Sequence, residues 1–130
     1  MSSEPTPSGL SRSVLIVDDD AEVAGLLAEV LSHAGYRADT ASNGRAALLK
    51  IEAAGYDAII ADVRMPDLDG PGLYDELARR QPRLLGRFML VGGDTGSAEV
   101  QAFVDRTGVP CVPKPFDTKE VVRLIRRLAG

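Results

Sequence analysis

Val14-Leu15-Ile16-Val17-Asp18-Asp19-Asp20 decides how the rest of the chain is read. Four apolar residues in a row, three of them β-branched, favour a short strand covered on both faces, Val14–Asp18. Beyond the acids, Val23, Leu26, Leu27, Val30 and Leu31 recur at helical spacing, and Gly35 supplies the stop. A buried strand, an acidic turn and an amphipathic helix make one β-α unit.

The unit repeats to the end of the chain. Tyr36–Ala41 is a weaker strand, and Arg45–Ala54 a helix with Ala47, Leu48 and Ile51 on its apolar face. Tyr56–Ala61 predicts a third strand, followed by the turn-rich Met65-Pro66-Asp67-Leu68-Asp69-Gly70 and a helix over Pro71–Arg80. Phe88–Val91 predicts a fourth strand running into Gly92-Gly93-Asp94, then a helix over Ser97–Arg106 with Val100, Phe103 and Val104 on one side. Val109–Val112 is the fifth strand. Asp117–Leu128 is the last helix, with Asp117 and Glu120 placed to cap it and Val121, Leu124, Ile125 and Leu128 inward. Five such units predict an α/β fold, a doubly wound parallel sheet covered by helices on both faces.

Composition agrees. The 130 residues are 45% hydrophobic and 26% charged, the balance of one folded domain rather than a disordered or fibrous chain. Residues 1–12, rich in Ser, Pro and Gly, read as a flexible tail, with the folded domain over 13–130. No apolar run reaches the ~20 residues of a membrane span, and the N-terminus lacks the apolar block of a signal peptide. A net charge of −4 gives nucleic-acid binding no overall electrostatic support. The single cysteine, Cys111, rules out an intrachain disulfide, and no Cys/His cluster suits zinc. A cytoplasmic location is the expectation.

Open parallel sheets bind ligands beyond the carboxyl ends of their strands. Those ends carry Asp18, Asp19 and Asp20 after the first strand, Asp62 after the third, Gly92-Gly93-Asp94 after the fourth and Pro113-Lys114-Pro115-Phe116 after the fifth. Asp18, Asp19 and Asp62 should share one pocket, with Lys114 beside them. Carboxylates so close repel unless a cation compensates, and Mg²⁺ suits a few-carboxylate site that keeps positions for water and phosphate. Lys114 adds a point charge suited to a phosphoryl oxygen. Taken singly, each feature has an ordinary explanation: the acids cap a helix, Met65–Gly70 is a turn, Lys114-Pro115 a loop. Their convergence on one end of the sheet is what argues for chemistry.

Together, Val14–Asp20, Ala61-Asp62-Val63-Arg64-Met65-Pro66 with Asp69-Gly70, and Lys114-Pro115-Phe116 closely resemble the receiver domain of two-component response regulators. The resemblance spans Ser13 to Gly130 and implies a flavodoxin-like five-stranded sheet of order 2-1-3-4-5 flanked by five helices. It implies that Asp62 accepts a phosphoryl group from the phosphohistidine of a sensor histidine kinase or a phosphotransfer protein. Asp19, Asp62 and the backbone carbonyl of Arg64 would hold Mg²⁺, Asp18 would assist through water, and Lys114 would pair with the phosphoryl group. Asp57 and Asp67 are not the acceptor, lying at the wrong strand end and in the turn.

Two positions depart from the pattern. Receivers usually carry Thr or Ser where this chain has Gly92, and commonly an aromatic residue where it has Cys111. Thr95 and Ser97 lie three and five residues out of register. A hydrogen bond to a charged group contributes about 1.5–3 kcal/mol, so phosphorylation survives the missing hydroxyl. Driving a two-state switch from 1:99 to 99:1 takes roughly 5.5 kcal/mol, so the usual readout is weakened. A water beside Gly92, or approach of the glycine-pair backbone to phosphate, are the expected substitutes.

The remaining marked residues read plainly. His33 complements the end of the first helix, and Cys111 is a small buried hydrophobe. Lys119, Arg123, Arg126 and Arg127 form a solvated face of the last helix, with partner docking as the functional alternative. The leading reading is a stand-alone receiver, a monomer or weak dimer that signals to an unidentified output protein and is no turnover enzyme. No output segment follows Gly130, so direct DNA binding is not expected, although excision from a hybrid kinase stays open. A phosphorylation-independent pseudo-receiver is the alternative. A Mg²⁺-dependent phosphohydrolase with Asp18 as nucleophile and Asp20 as acid is weaker, because no small hydroxyl and no cap domain follow. Flavin binding is weaker again, since the first loop holds acids where a flavin phosphate needs donors.

Overall fold

The structure, a computed structural model, describes residues 12–93 and 96–130. Five strands, β1 (Ser13–Val17), β2 (Arg37–Ala41), β3 (Ala58–Asp62), β4 (Phe88–Gly92) and β5 (Cys111–Pro113), alternate with helices. These are α1 (Ala21–His33), α2 (Gly44–Ala53), α3 (Gly70–Arg80), α4 (Ala98–Thr107) and α5 (Thr118–Ala129). All strand pairs are parallel and the order is β2-β1-β3-β4-β5, the flavodoxin-like arrangement expected. Of the expected tail, all but Arg12 lies outside the described residues.

Alternate residues of the central strands go to opposite faces, and both faces are buried. Leu15, Val17, Ile59, Ala61 and Leu90 join the core under α2, α3 and α4. Val14, Ile16, Ile60, Met89 and Val91 join the core under α1 and α5. Tyr74 meets Phe88 and Phe103 edge-on, with ring centroids 5.4 and 5.1 Å apart, and so ties α3 to β4 and α4.

Every helix starts on a side-chain cap: Asp20, Asn43, Asp69, Ser97 and Asp117 each accept a backbone N–H of the first turn. Glu120 does not complete the expected capping pair, because its carboxylate is taken by Arg123 at 2.6 and 2.7 Å.

Several local expectations shift. Leu26 faces outward and is 47% exposed, because α1 rests on the sheet through Ala24, Leu27 and Leu31. Leu128 is half-buried, and Ala129 takes the inward place. β5 begins at Cys111 rather than Val109, since Pro110 has no N–H to give the ladder, although its carbonyl accepts from Leu90 N–H at 2.9 Å. A 3₁₀ turn over Pro82–Arg87, unread in the sequence, leads into β4 and buries Leu84.

Candidate functional site

The sheet reverses its winding between β1 and β3, and the crevice there opens past their carboxyl ends. Backbone bonds carry the ladder just beyond the strands: Asp18 N–H to Ala41 O at 3.1 Å, Val63 N–H to Val91 O at 2.8 Å, Lys114 N–H to Gly92 O at 2.9 Å. The side chains at this rim are therefore positioned by sheet hydrogen bonds rather than by free loops.

The acidic run after β1 divides. Asp20 turns to α1, its Oδ1 accepting from Glu22 and Val23 N–H at 3.0 and 3.4 Å. Asp18 and Asp19 turn to the crevice, where they and Asp62 bring carboxylate oxygens within 4.8 Å of one another. Asp18 is 2% exposed and Asp62 7%, whereas Asp19 is open to solvent. Lys114 reaches in from the end of β5, its Nζ 3.1 Å from Asp18 Oδ2 and 3.2 Å from Asp62 Oδ2. Asp18 Oδ1 accepts from Asp20 N–H at 2.9 Å, and Asp62 Oδ1 lies 3.4 Å from Arg64 N. The Lys114–Pro115 peptide bond is cis.

Burial pushes the Asp62 carboxyl up from its ordinary value, and the Asp18 charge pushes the same way; Lys114 and the Arg64 N–H pull against them. For Lys114, burial favours the neutral amine, but the hydrogen bond to Asp18 and the charges of Asp62 and Asp18 prevail and hold its ammonium above the usual range. One ammonium between two buried carboxylates, with a third beside them, leaves negative charge over. That surplus and its all-oxygen donors fit a hard divalent cation such as Mg²⁺.

Glycines shape the walls. A Cβ at Gly70 would stand 2.5 Å from Asp62 O and from a Leu90 methyl, so α3 starts as close under β3 as it does because residue 70 has no side chain. A Cβ at Gly92 would fall 2.9 Å from Val63 Cβ and Cγ2, with Asp62 Oδ1 at 3.3 Å. Val63 thus fills the direction in which a side chain at residue 92 would project. The Ser97 hydroxyl accepts from Val100 N–H at 3.2 Å as the α4 cap. Asp94 and Thr95 lie outside the described residues.

Cys111 is half-buried at the start of β5 against the α2–α4 core, and burial pushes its thiol up. Asp57 lies at the opposite end of the sheet, its Oδ2 accepting from Ser13 N–H at 2.9 Å. Asp67 sits in the β3–α3 turn at φ 70°. His33 is exposed in the last turn of α1. Lys119, Arg123 and Arg126 border a groove of about 330 Å³ between α1 and α5, floored by Val30 and Val122 and holding no acid. Two contacts escaped the sequence reading: Tyr56 donates its hydroxyl to Asp39 Oδ2 at 2.7 Å, and Arg64 pairs with Glu99 of α4 at 3.4 Å. Neither has a local signature.

Comparison with known proteins agrees with this geometry. The sequence model described as "Response regulator receiver domain" matches residues 14–126. The chain is 33% identical over 114 residues to the DNA-binding transcriptional regulator NtrC of Salmonella typhimurium, covering 88% of this chain and 24% of that protein. It is 33% identical over 115 residues to the transcriptional regulatory protein ResD of Bacillus subtilis, covering 88% of this chain and 47% of that one. It therefore spans less than half the length of these relatives. Among solved structures, the chemotaxis protein CheY4 of Vibrio cholerae superposes with a TM-score of 0.80 at 29% identity, over 91% of this chain and 98% of that one. The beryllofluoride-activated NtrC4 receiver domain gives 0.79 at 29%, over 90% and 95%. No described helix is long and apolar enough to cross a membrane. With the match running from the first strand into the last helix, the chain belongs to the response regulator receiver domain family of two-component signalling.

Proposed function

We propose that residues 13–130 form a receiver that accepts a phosphoryl group on Asp62 from the phosphohistidine of a sensor histidine kinase or phosphotransfer protein. It then signals by binding an output protein. The observation that carries this is the placement of Lys114 Nζ between Asp18 Oδ2 and Asp62 Oδ2, beside an acidic pocket open at Asp19. In the reaction an Asp62 carboxylate oxygen attacks phosphorus, the O–P bond of an acyl phosphate forms, and the N–P bond breaks. The imidazole leaves as the neutral ring once protonated.

Asp18, Asp19, Asp62 and the backbone carbonyl of Arg64 would hold Mg²⁺, Asp18 through water. When bound, the ion supplies charge neutralisation to the transferring oxygens. Lys114 balances the remaining charge and pulls the Asp62 carboxyl down against its burial. The walls built by Gly70 and Val63 hold the carboxylate at the rim. The module supports its own phosphorylation and dephosphorylation without turnover of a free substrate. It would work in the cytoplasm as a monomer or weak dimer, without contacting nucleic acid itself.

Val63 packed over Gly92 favours a second reading, a pseudo-receiver that binds its partner without phosphorylation. The hydrolase reading loses its acid, since Asp20 is committed to capping α1.

Incubation with Mg²⁺ and acetyl phosphate or phosphoramidate, followed by intact-mass measurement, tests the assignment. A Mg²⁺-dependent gain of one phosphoryl group that Asp62→Asn abolishes supports it. No gain supports the pseudo-receiver. Phosphoester turnover that survives Asp62→Asn and dies with Asp18→Asn supports the hydrolase.

A further inference from the structure

We propose that the face made by α1 and α5 is where a second copy of this chain docks, about a two-fold axis running along the groove between the two helices. Glu22 and Glu29 of each copy then meet Lys119 and Arg126 of the other. The proposal does not depend on which acid accepts phosphate.

Helical spacing lays three strips across this face. Ala24, Leu27 and Leu31 turn α1 to the sheet, and Val30 meets Val122 of α5 on the groove floor. Leu26 stands beside Val23 and Val30, three and four residues along the helix. It is 47% exposed, and with Leu49 of α2 it is one of two large apolar side chains that the described residues leave so open. Glu22 and Glu29 stand beyond Leu26, four and three residues from it, and both are exposed. Across the floor, Lys119, Arg123 and Arg126 form the exposed bank of α5. The face thus runs acid, aliphatic, base from α1 to α5.

Arg123 is held by Glu120 of its own helix. Among the described residues no ion pair takes up Glu22, Glu29, Lys119 or Arg126.

The two helices follow β1 and β5 and leave the same end of a parallel sheet. Rotation about an axis along the groove therefore lays α1 of one copy on α5 of the other, start against start. Counted from the first residue of each helix, Glu22 and Lys119 are both second, and Glu29 and Arg126 are both ninth. Acid meets base in every such pair, and Leu26 of each copy comes against the other's groove floor. An axis across the helices would set acid on acid. A basic groove alone would suit any acidic helix; the acidic strip in matching register is what selects a second copy.

The association is weak. Helices of 13 and 12 residues are about 18–20 Å long, and a face of two such helices falls at or below the ~1,200 Å² of small specific interfaces. A dissociation constant of about 100 µM is expected.

Sedimentation velocity of the full chain from about 10 µM to 1 mM, in low and high salt, tests the proposal. The wild type should shift from monomer to dimer over this range, and less so in high salt. Glu29→Arg and Arg126→Glu should each weaken self-association about tenfold, since each sets like charges together at both symmetry-related contacts. An equimolar mixture of the two variants should recover the wild-type affinity, because the mixed dimer pairs glutamate with arginine at both. Leu26→Gln should weaken the dimer in low and high salt alike. A wild type that stays monomeric at 1 mM overturns the proposal and leaves the groove to a different protein. Variants that dimerise like the wild type, or a mixture no tighter than its components, overturn it as well, since the two helices then do not face each other.

Discussion

Val63 occupies the space that a side chain at residue 92 would need: a Cβ built on Gly92 stands 2.9 Å from Val63 Cβ. The pair should behave as one packing unit. Gly92→Thr is expected to destabilise the domain by about 1–3 kcal/mol, the usual cost of overpacking. In a Val63→Ala background that cost should largely vanish. Urea unfolding of the four proteins, read as a double-mutant cycle, checks it. Equal costs in both backgrounds would mean that the two side chains do not compete.

Asp62→Asn should stabilise the fold. Burial and the Asp18 charge hold the Asp62 carboxyl above its ordinary value of 3.8, so the folded state binds its proton more tightly than the unfolded state. That contribution is present when the group is protonated and is lost as pH rises through the folded value. At neutral pH without divalent ions, the asparagine variant is therefore expected to melt several degrees higher, and its advantage should shrink toward pH 3. Millimolar Mg²⁺ should raise the wild-type melting temperature and leave the variant nearly unmoved. Thermal scans across pH, with and without Mg²⁺, give the answer, and a variant less stable than wild type at pH 7 contradicts it.

Gly70→Ala should be costly for so small a change. The new methyl would meet Asp62 O and a Leu90 methyl at 2.5 Å, and the carbonyl cannot yield without moving the end of β3. A loss of about 2–3 kcal/mol is expected, together with slower phosphoryl uptake because Asp62 moves with its backbone. Denaturant unfolding and the intact-mass assay measure the two effects separately. A variant of wild-type stability would show that α3 starts farther from β3 than the structure places it.

The Tyr56 hydroxyl is pushed up to about 12 by burial and by its hydrogen bond to Asp39. An unfolded tyrosine titrates near 10, so the contribution is complete below about pH 10 and disappears as pH rises through about 12. Tyr56→Phe should cost about 1.5 kcal/mol at pH 8 and progressively less above pH 10. Unfolding curves at pH 8, 10 and 11 test this. A constant deficit across that range would remove Asp39 from the account.

The α/β alternation was legible because strands buried on both faces and one-sided helices carry different periods, as Ala58–Asp62 and Thr118–Ala129 do. β2 was fainter because it is an edge strand, with only Ala41 buried. The acids and Lys114 were legible as a group because the rule for open sheets points to strand ends. Which acid does what was not: Asp20 looks like its two neighbours in sequence, and only the direction of α1 sets it apart as a cap. Leu26 fits the helical period but lies past the edge of the stripe that α1 lays on the sheet. The missing hydroxyl at Gly92 was visible in the sequence, but what fills its place was not, because Val63 comes from a neighbouring strand end. Arg64 with Glu99, and Tyr56 with Asp39, join residues far apart in the chain and needed the fold to be seen.

The hydrogen-bond register that sets Asp62 opposite Val91 has a further consequence. Added residues in the surface connections can be looped out without disturbing the acceptor, whereas one residue inserted within Ala58–Asp62 would swap the faces of everything after it and bring an aliphatic neighbour to the rim. The chain should therefore accept grafts at its helix–strand turns readily, while an insertion inside β3 would silence it with every functional group still present.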